Sequence, residues 1–220
     1  MKKVFFFIAF VVLGTTAIIA QERDQDRIQD QDRTKLVMVN GEMLEVRERA
    51  HMRLRDKQKL NDGTILSPDG TYITRDQDRL RLKDGQCLDN DGVMYRNEYQ
   101  YRYKVQQENK GLSQAQIQER NQNRVHYMLV DGDVVEVRNQ SQNRIQSQLK
   151  LENGVTVKPD GTYQTRDRKQ LRLLDGECLN MQGEMFKNTY QHRKTTLKKN
   201  MMKSKMKSKP KLQNKKKIGS

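Results

Sequence analysis

The chain has 220 residues, is 34% apolar and 6% aromatic with no Trp, and carries a formal charge of +15. So thin an apolar supply excludes a large single hydrophobic core and lies close to compositions that stay disordered. The charge is unevenly spread: residues 193–220 hold 12 Lys or Arg and no acid, and residues 1–20 hold two more lysines, so residues 21–192 carry only +1. A long-range attraction to anions can therefore be argued for the C-terminal segment alone.

Residues 1–20 read MKKVFFFIAFVVLGTTAIIA, a basic start, an apolar run and then small residues. That order predicts a secretory signal peptide removed before Gln21, and hence a periplasmic or secreted product. A transmembrane anchor is the competing reading, but Thr15-Thr16 interrupts a span already at the short end for a bilayer. No Cys follows the run to take a lipid.

Residues 21–34 form a polar leader rich in Gln, Asp and Arg. Beyond it the chain repeats itself at an offset of 91: Asn40–Arg102 against Asp131–Arg193 gives 29 identities in 63 positions without a gap. This is a duplication, predicting one β-repeat domain at 35–103 and a second at 126–193. The polar linker 104–125 contains Ser113-x-x-Gln116, which reads as a capping box opening a short helix or as plain solvated linker.

Within each copy glycines recur every 22 residues, as at Gly41, Gly63 and Gly85, mostly as Asp-Gly or Asn-Gly pairs. Such pairs supply the positive φ of tight hairpin turns. Between them lie short strand-like runs, KLVMV, EMLEVR, TILS, TYIT, RLRLK, QCLD and VMYR. The expected fold is all-β: two tandem small antiparallel β-meander domains of ~22-residue hairpin units, followed by a disordered basic C-terminal tail at 194–220. A two-residue loop at Asp84-Gly85 would pair Leu82 with Cys87 and put Cys87 on the Leu80/Leu82 face. The same register places Cys178 opposite Leu173. Domains of this size are marginal alone, so the copies should pack on each other, as a continuous sheet or face to face.

The segments LKDGQCLDNDGVM (Leu82–Met94), LLDGECLNMQGEM (Leu173–Met185) and VNGEMLEV (Val39–Val46) resemble the domain of unknown function 6799 family. The resemblance spans Lys35–Arg102 and His126–Arg193. It implies small exported bacterial domains, often duplicated, with no established activity and no catalytic residue to carry over. Relatives rich in Met and Lys suggest thioether metal binding, whereas this chain has Arg, Gln and Asp in their place.

Candidate chemistry is sparse. His51, His126 and His192 stand alone without a second ligand at metal spacing, and the last two fall where the copies differ, which suits the surface. Asp89-Asn90-Asp91-Gly92 with Glu98 resembles part of a calcium loop, but its first position would be Cys87 and copy two has lost the acids; a hairpin turn explains both copies. RDQDR (Arg75–Arg79) reads as a solvated loop. Cys87 and Cys178 read as buried free thiols, as a disulfide, or as soft-metal ligands beside Met94 and Met185. No nucleophile elbow, phosphate loop or zincin motif occurs. The tail either solubilises the chain or binds polyanions through Lys198, Lys199, Lys203, Lys205, Lys207, Lys209, Lys211, Lys215, Lys216 and Lys217. Its partner would then be an anionic envelope polymer, lipid head groups or nucleic acid, bound without sequence readout for want of stacking side chains. The functional expectation is a non-enzymatic exported structural or binding module of the bacterial cell envelope with no cofactor. A soft-metal-binding or metal-stress periplasmic protein is the alternative, and an uncharacterised hydrolase a third.

Overall fold

The computed structural model describes residues 34–207, with side chains described to residue 202. The signal peptide expected at 1–20, the polar leader up to residue 33 and the segment 208–220 lie outside the described residues. Repeat one consists of β1 (Thr34–Val39), β2 (Glu42–Arg53), β3 (Gln58–Lys59), β4 (Ile65–Leu66), β5 (Thr71–Ile73), β6 (Arg79–Arg81), β7 (Cys87–Asp89), β8 (Met94–Tyr95) and α1 (Glu98–Glu108). A linker helix, α2 (Gln114–Asn123), leads into repeat two. That repeat has β9 (Val125–Val130), β10 (Asp133–Arg144), β11 (Leu149–Lys150), β12 (Thr156–Val157), β13 (Thr162–Gln164), β14 (Gln170–Arg172), β15 (Cys178–Asn180), β16 (Met185–Phe186) and α3 (Thr189–Lys207). The fold is mostly antiparallel β with few helices, in two repeated halves.

Two turn chemistries build it. Asn40-Gly41 (φ 51° and 73°) and Asp131-Gly132 (φ 54° and 85°) have both central residues left-handed, the signature of the two-residue type I′ hairpin. They join β1 to β2 and β9 to β10, with Val39 opposite Glu42 and Val130 opposite Asp133. The pairs at Asp62-Gly63, Asp69-Gly70, Asp91-Gly92, Asn153-Gly154 and Asp160-Gly161 close three-residue loops. At Leu60–Thr64, for example, the Gly63 N–H donates to the Leu60 carbonyl (3.1 Å) and the Leu60 N–H to the Thr64 carbonyl (2.8 Å). This is a type I turn whose third residue takes the left-handed position. Asp62 fits because its carboxylate accepts from the Thr64 backbone N–H and hydroxyl (2.9 and 2.7 Å).

Asp84-Gly85 does not close a hairpin, and the register drawn through it is corrected. It is a turn, with the Gln86 N–H on the Lys83 carbonyl (2.9 Å), but β6 stays with β5 while β7 joins another sheet. Only Gly85 has positive φ there, so the chain lacks the doubly left-handed twist that folds a strand straight back. Leu80 and Leu171 are accordingly exposed, while Leu82, Leu173 and both cysteines are buried in separate clusters.

The repeats form a continuous sheet by exchanging strands. An eight-stranded sheet runs β16-β15-β1-β2-β10-β9-β7-β8, so β15 of repeat two pairs with β1 of repeat one, and β7 of repeat one pairs with β9 of repeat two. The four-stranded sheets β3-β4-β5-β6 and β11-β12-β13-β14 pack on it. Each is roofed by the long hairpin of the other repeat: Leu60, Leu66, Tyr72, Leu82 and Leu88 bury against Tyr127, Leu129 and Val134. Leu36, Met38 and Met43 in turn bury against Leu151, Val155, Val157, Tyr163, Leu173 and Leu179. Backbone bonds seal the exchange, with the Val134 N–H on Pro68 O (2.9 Å) and the Met43 N–H on Pro159 O (3.1 Å). A thin apolar supply suffices because each small core is partly furnished by its sister repeat.

Candidate functional site

The longest strands, β2 and β10, meet antiparallel at the centre of the large sheet, with Glu48 opposite Asn139 and bulges beside that pair. Asn139 is the repeat-two equivalent of Glu48 at the 91-residue offset, so the pseudo-two-fold axis passes between them. On this axis lies a buried ion cluster. Glu48 Oε1 accepts from Lys35 Nζ (2.6 Å), Arg102 Nη2 (2.7 Å) and Arg193 Nη2 (2.7 Å). Glu98 Oε1 accepts from the same two guanidiniums, each at 2.7 Å. Arg193 Nη1 adds Glu48 Oε2 (3.1 Å), and Arg102 Nη1 reaches Asn139 Oδ1 (2.8 Å). All five charged side chains are wholly buried.

The electrostatics follow from that burial. Desolvation would raise both carboxyls, but Arg193 and Lys35 outweigh it and hold Glu48 and Glu98 well below the usual range. Burial and then Arg193 lower the Lys35 ammonium. His51 and His126 join the cluster and His192 is buried, which corrects the surface role expected for His126 and His192. His51 Nε2 contacts Glu48 and lies 2.8 Å from Arg193 Nη1. His126 Nε2 lies 3.6 Å from Glu98 Oε1 and its ring is 4.3 Å from Tyr101. His192 packs edge-on against Phe186 at 5.0 Å. Burial is the main cause that takes His51 and His126 down to about 4 and His192 to about 3.

A cleft of about 330 Å³ opens on the same axis. Its walls are equivalent pairs: Asp84 and Asp175, Gly85 and Gly176, Arg96 and Lys187, Asn97 and Asn188, Glu98 and Thr189, Tyr99 and Tyr190, joined by Met128. Asn97 caps α1 by accepting from the Gln100 N–H (3.0 Å), and Asn188 does the same for Gln191 (2.9 Å). The two aspartates are engaged across the repeats, Asp175 accepting from Gly41 N–H (3.0 Å) and Asp84 from Gly132 N–H (3.4 Å). The cleft thus presents three acids, of which Glu98 is already bound in the ion cluster, two bases and polar edges, and no Ser, Cys or His nucleophile lines it.

The remaining candidates resolve individually. Asp89 accepts from the Asp91 and Val93 N–H groups, from Tyr95 OH (2.8 Å) and from Lys104 Nζ (3.1 Å), while Glu98 belongs to the ion cluster. The partial calcium motif is therefore a hairpin loop whose acids have protein partners. Cys87 and Cys178 are free and buried, and burial pushes both thiols up, Cys178 to about 12. Cys87 stands opposite Tyr95 and Leu88 opposite Met94, so Cys87 and Met94 project to opposite faces of the sheet.

The basic segment begins as helix, not as disordered chain: α3 continues to Lys207, anchored by buried His192, Arg193 and Thr196. Lys198 pairs with Asp131 (3.9 Å) and Lys199 with Glu184 (3.3 Å), while Lys194 also contacts Asp131. Lys203, Lys205 and Lys207 occupy helical backbone positions; Lys209, Lys211, Lys215, Lys216 and Lys217 lie outside the described residues. Sequence reasoning missed the ion cluster. Its trace is that Arg102 and Arg193 are identical in both copies while their acidic partners are not.

Comparison with protein-family models finds the domain of unknown function DUF6799 at residues 33–94 and again at 124–185, together more than half of the chain. No curated protein matches. No solved structure matches.

Proposed function

We propose that this chain, which belongs to the DUF6799 family through both of its repeats, is a non-enzymatic exported module of the bacterial cell envelope that holds anionic polymer or lipid head groups through its basic C-terminal segment. The observation that carries this reading is how α3 deploys charge. Lys194, Lys198 and Lys199 lie against Asp131 and Glu184 of the body. The eight lysines from Lys203 to Lys217 follow with no acid among them. The exchanged β body is then the carrier and the distal lysines its anion-binding groups. Attraction of this kind is driven by counterion release and is indifferent to base sequence.

The test compares the mature chain with one ending at Met202, which keeps the buried part of α3. Retention on heparin and on vesicles containing anionic lipid is followed across a salt series. Retention that falls steeply with salt and is lost in the shorter chain supports the reading. Equal retention of both chains overturns it.

A further inference from the structure

The ion cluster is divided unequally between the repeats. Repeat one supplies Lys35, Glu48, Glu98 and Arg102; at the equivalent places repeat two supplies His126, Asn139, Thr189 and Arg193. Every carboxylate that Arg193 touches, Glu48 and Glu98, belongs to repeat one. Two copies of repeat two docked in this geometry would bury two arginines with no carboxylate at either position. Two copies of repeat one would bury balanced charge, but would set Glu48 opposite Glu48 at the axis, where Asn139 now stands. Like charges directly opposite across a ladder are unfavourable, and an unpaired buried charge more so.

We infer that the exchanged face of repeat two is a selective docking surface for another repeat of this family, and that it accepts only a partner bringing carboxylates at the positions of Glu48 and Glu98. In the intact chain that partner is repeat one. When the linker opens, the same rule admits repeat one of a second copy and refuses repeat two. The apolar half of the interface does not make this choice, because both hairpins present equivalent apolar residues to the opposite small sheet. The choice rests on Glu48 and Glu98.

The linker offers the means of testing it. Lys110 and Gly111 are exposed between α1 and α2. A site-specific protease sequence inserted after Gly111 allows the folded full chain to be nicked. The nicked protein is unfolded in urea, diluted to re-pair, and weighed by native mass spectrometry. One–two pairs should dominate, one–one pairs come second, and two–two pairs fall more than about a hundredfold below one–two. In a second chain, Asn139→Glu gives two–two pairs two carboxylates for two arginines and should raise their share at least about tenfold. Two–two pairs as abundant as one–two in the parent overturn the proposal, as do halves that persist as separately folded monomers. A folded Asn139→Glu chain whose two–two pairs do not increase overturns it as well. If that variant does not fold, the parent's pair distribution decides alone.

Discussion

Arg193 and Glu48 each make five polar contacts, yet Glu48 should be the costlier residue to lose. Arg193 reaches Glu48, Glu98 and His51 through all three of its nitrogens. Arg193→Met removes those contacts but leaves Lys35 and Arg102 facing Glu48 and Glu98, two cations to two carboxylates. Methionine fills much of the volume, and the cost should be that of a few weakened acceptors, about 1–3 kcal/mol. Glu48→Gln is nearly isosteric but leaves three buried cations with Glu98 as their one remaining carboxylate. Stranding buried charge in this way costs about 3–5 kcal/mol. With a urea dependence of about 2 kcal/mol/M, the midpoint should fall by roughly 1.5–2.5 M. Urea unfolding at pH 7, followed by circular dichroism and tyrosine fluorescence, measures both variants. An Arg193→Met loss equal to or larger than that of Glu48→Gln would refute the charge-balance reasoning and favour a count of hydrogen bonds.

Acid should destabilise the protein before its carboxylates titrate. His51, His126 and His192 are held at about 4, 4 and 3 by burial. The unfolded chain binds protons near 6.5 that the native state refuses, so stability drops as pH falls from about 6.5 to 4. With three histidines the slope near pH 5 should approach 4 kcal/mol per pH unit, and a flat unfolding free energy between pH 7 and 5 would contradict it. Leu129→Ala lies in repeat two but lines the small core of repeat one, so it should cost about 2–5 kcal/mol and weaken amide protection in β4 and β5. Protection lost in repeat two alone would argue against the exchanged core. Gly70→Ala would place its Cβ 2.8 Å from Leu129 Cδ1 at a φ of +85°, so a loss of about 1–3 kcal/mol is expected in thermal melts; an unchanged melting temperature would show that this approach is not tight. Cys87 and Cys178 should resist thiol reagents until denaturant is added, and fast labelling of the native protein would mean that the β7 and β15 region opens.

The duplication, the Asp-Gly turns and the strand-rich pattern were legible because they are local, readable within a few residues or by sliding the chain on itself. Whose hairpin roofs whose core was not legible, since an offset of 91 says that the repeats are alike and nothing about cis or crossed pairing. Asn40-Gly41 and Asp84-Gly85 look the same in sequence. They differ because Val39 and Glu42 pair with each other, while β7 is claimed by β9. Cys87 was rightly placed inside, through a hairpin that does not exist. His51 and His126 look solitary because only the fold brings β2, β9 and α1 to one ion cluster. The helix beyond residue 194 has no apolar period to announce it, and rests on His192, Arg193 and Thr196 beneath its first turns.

Strand exchange also has a consequence for the order of events during synthesis. A chain made from its N-terminus finishes repeat one without being able to close it, because Leu60, Leu66 and Tyr72 await Tyr127 and Leu129. Leu36 and Met38 must wait longer still, until Leu179 has emerged. The nascent polypeptide therefore stays open for most of its elongation, and its folding is dominated by distant pairings, which are intrinsically slow.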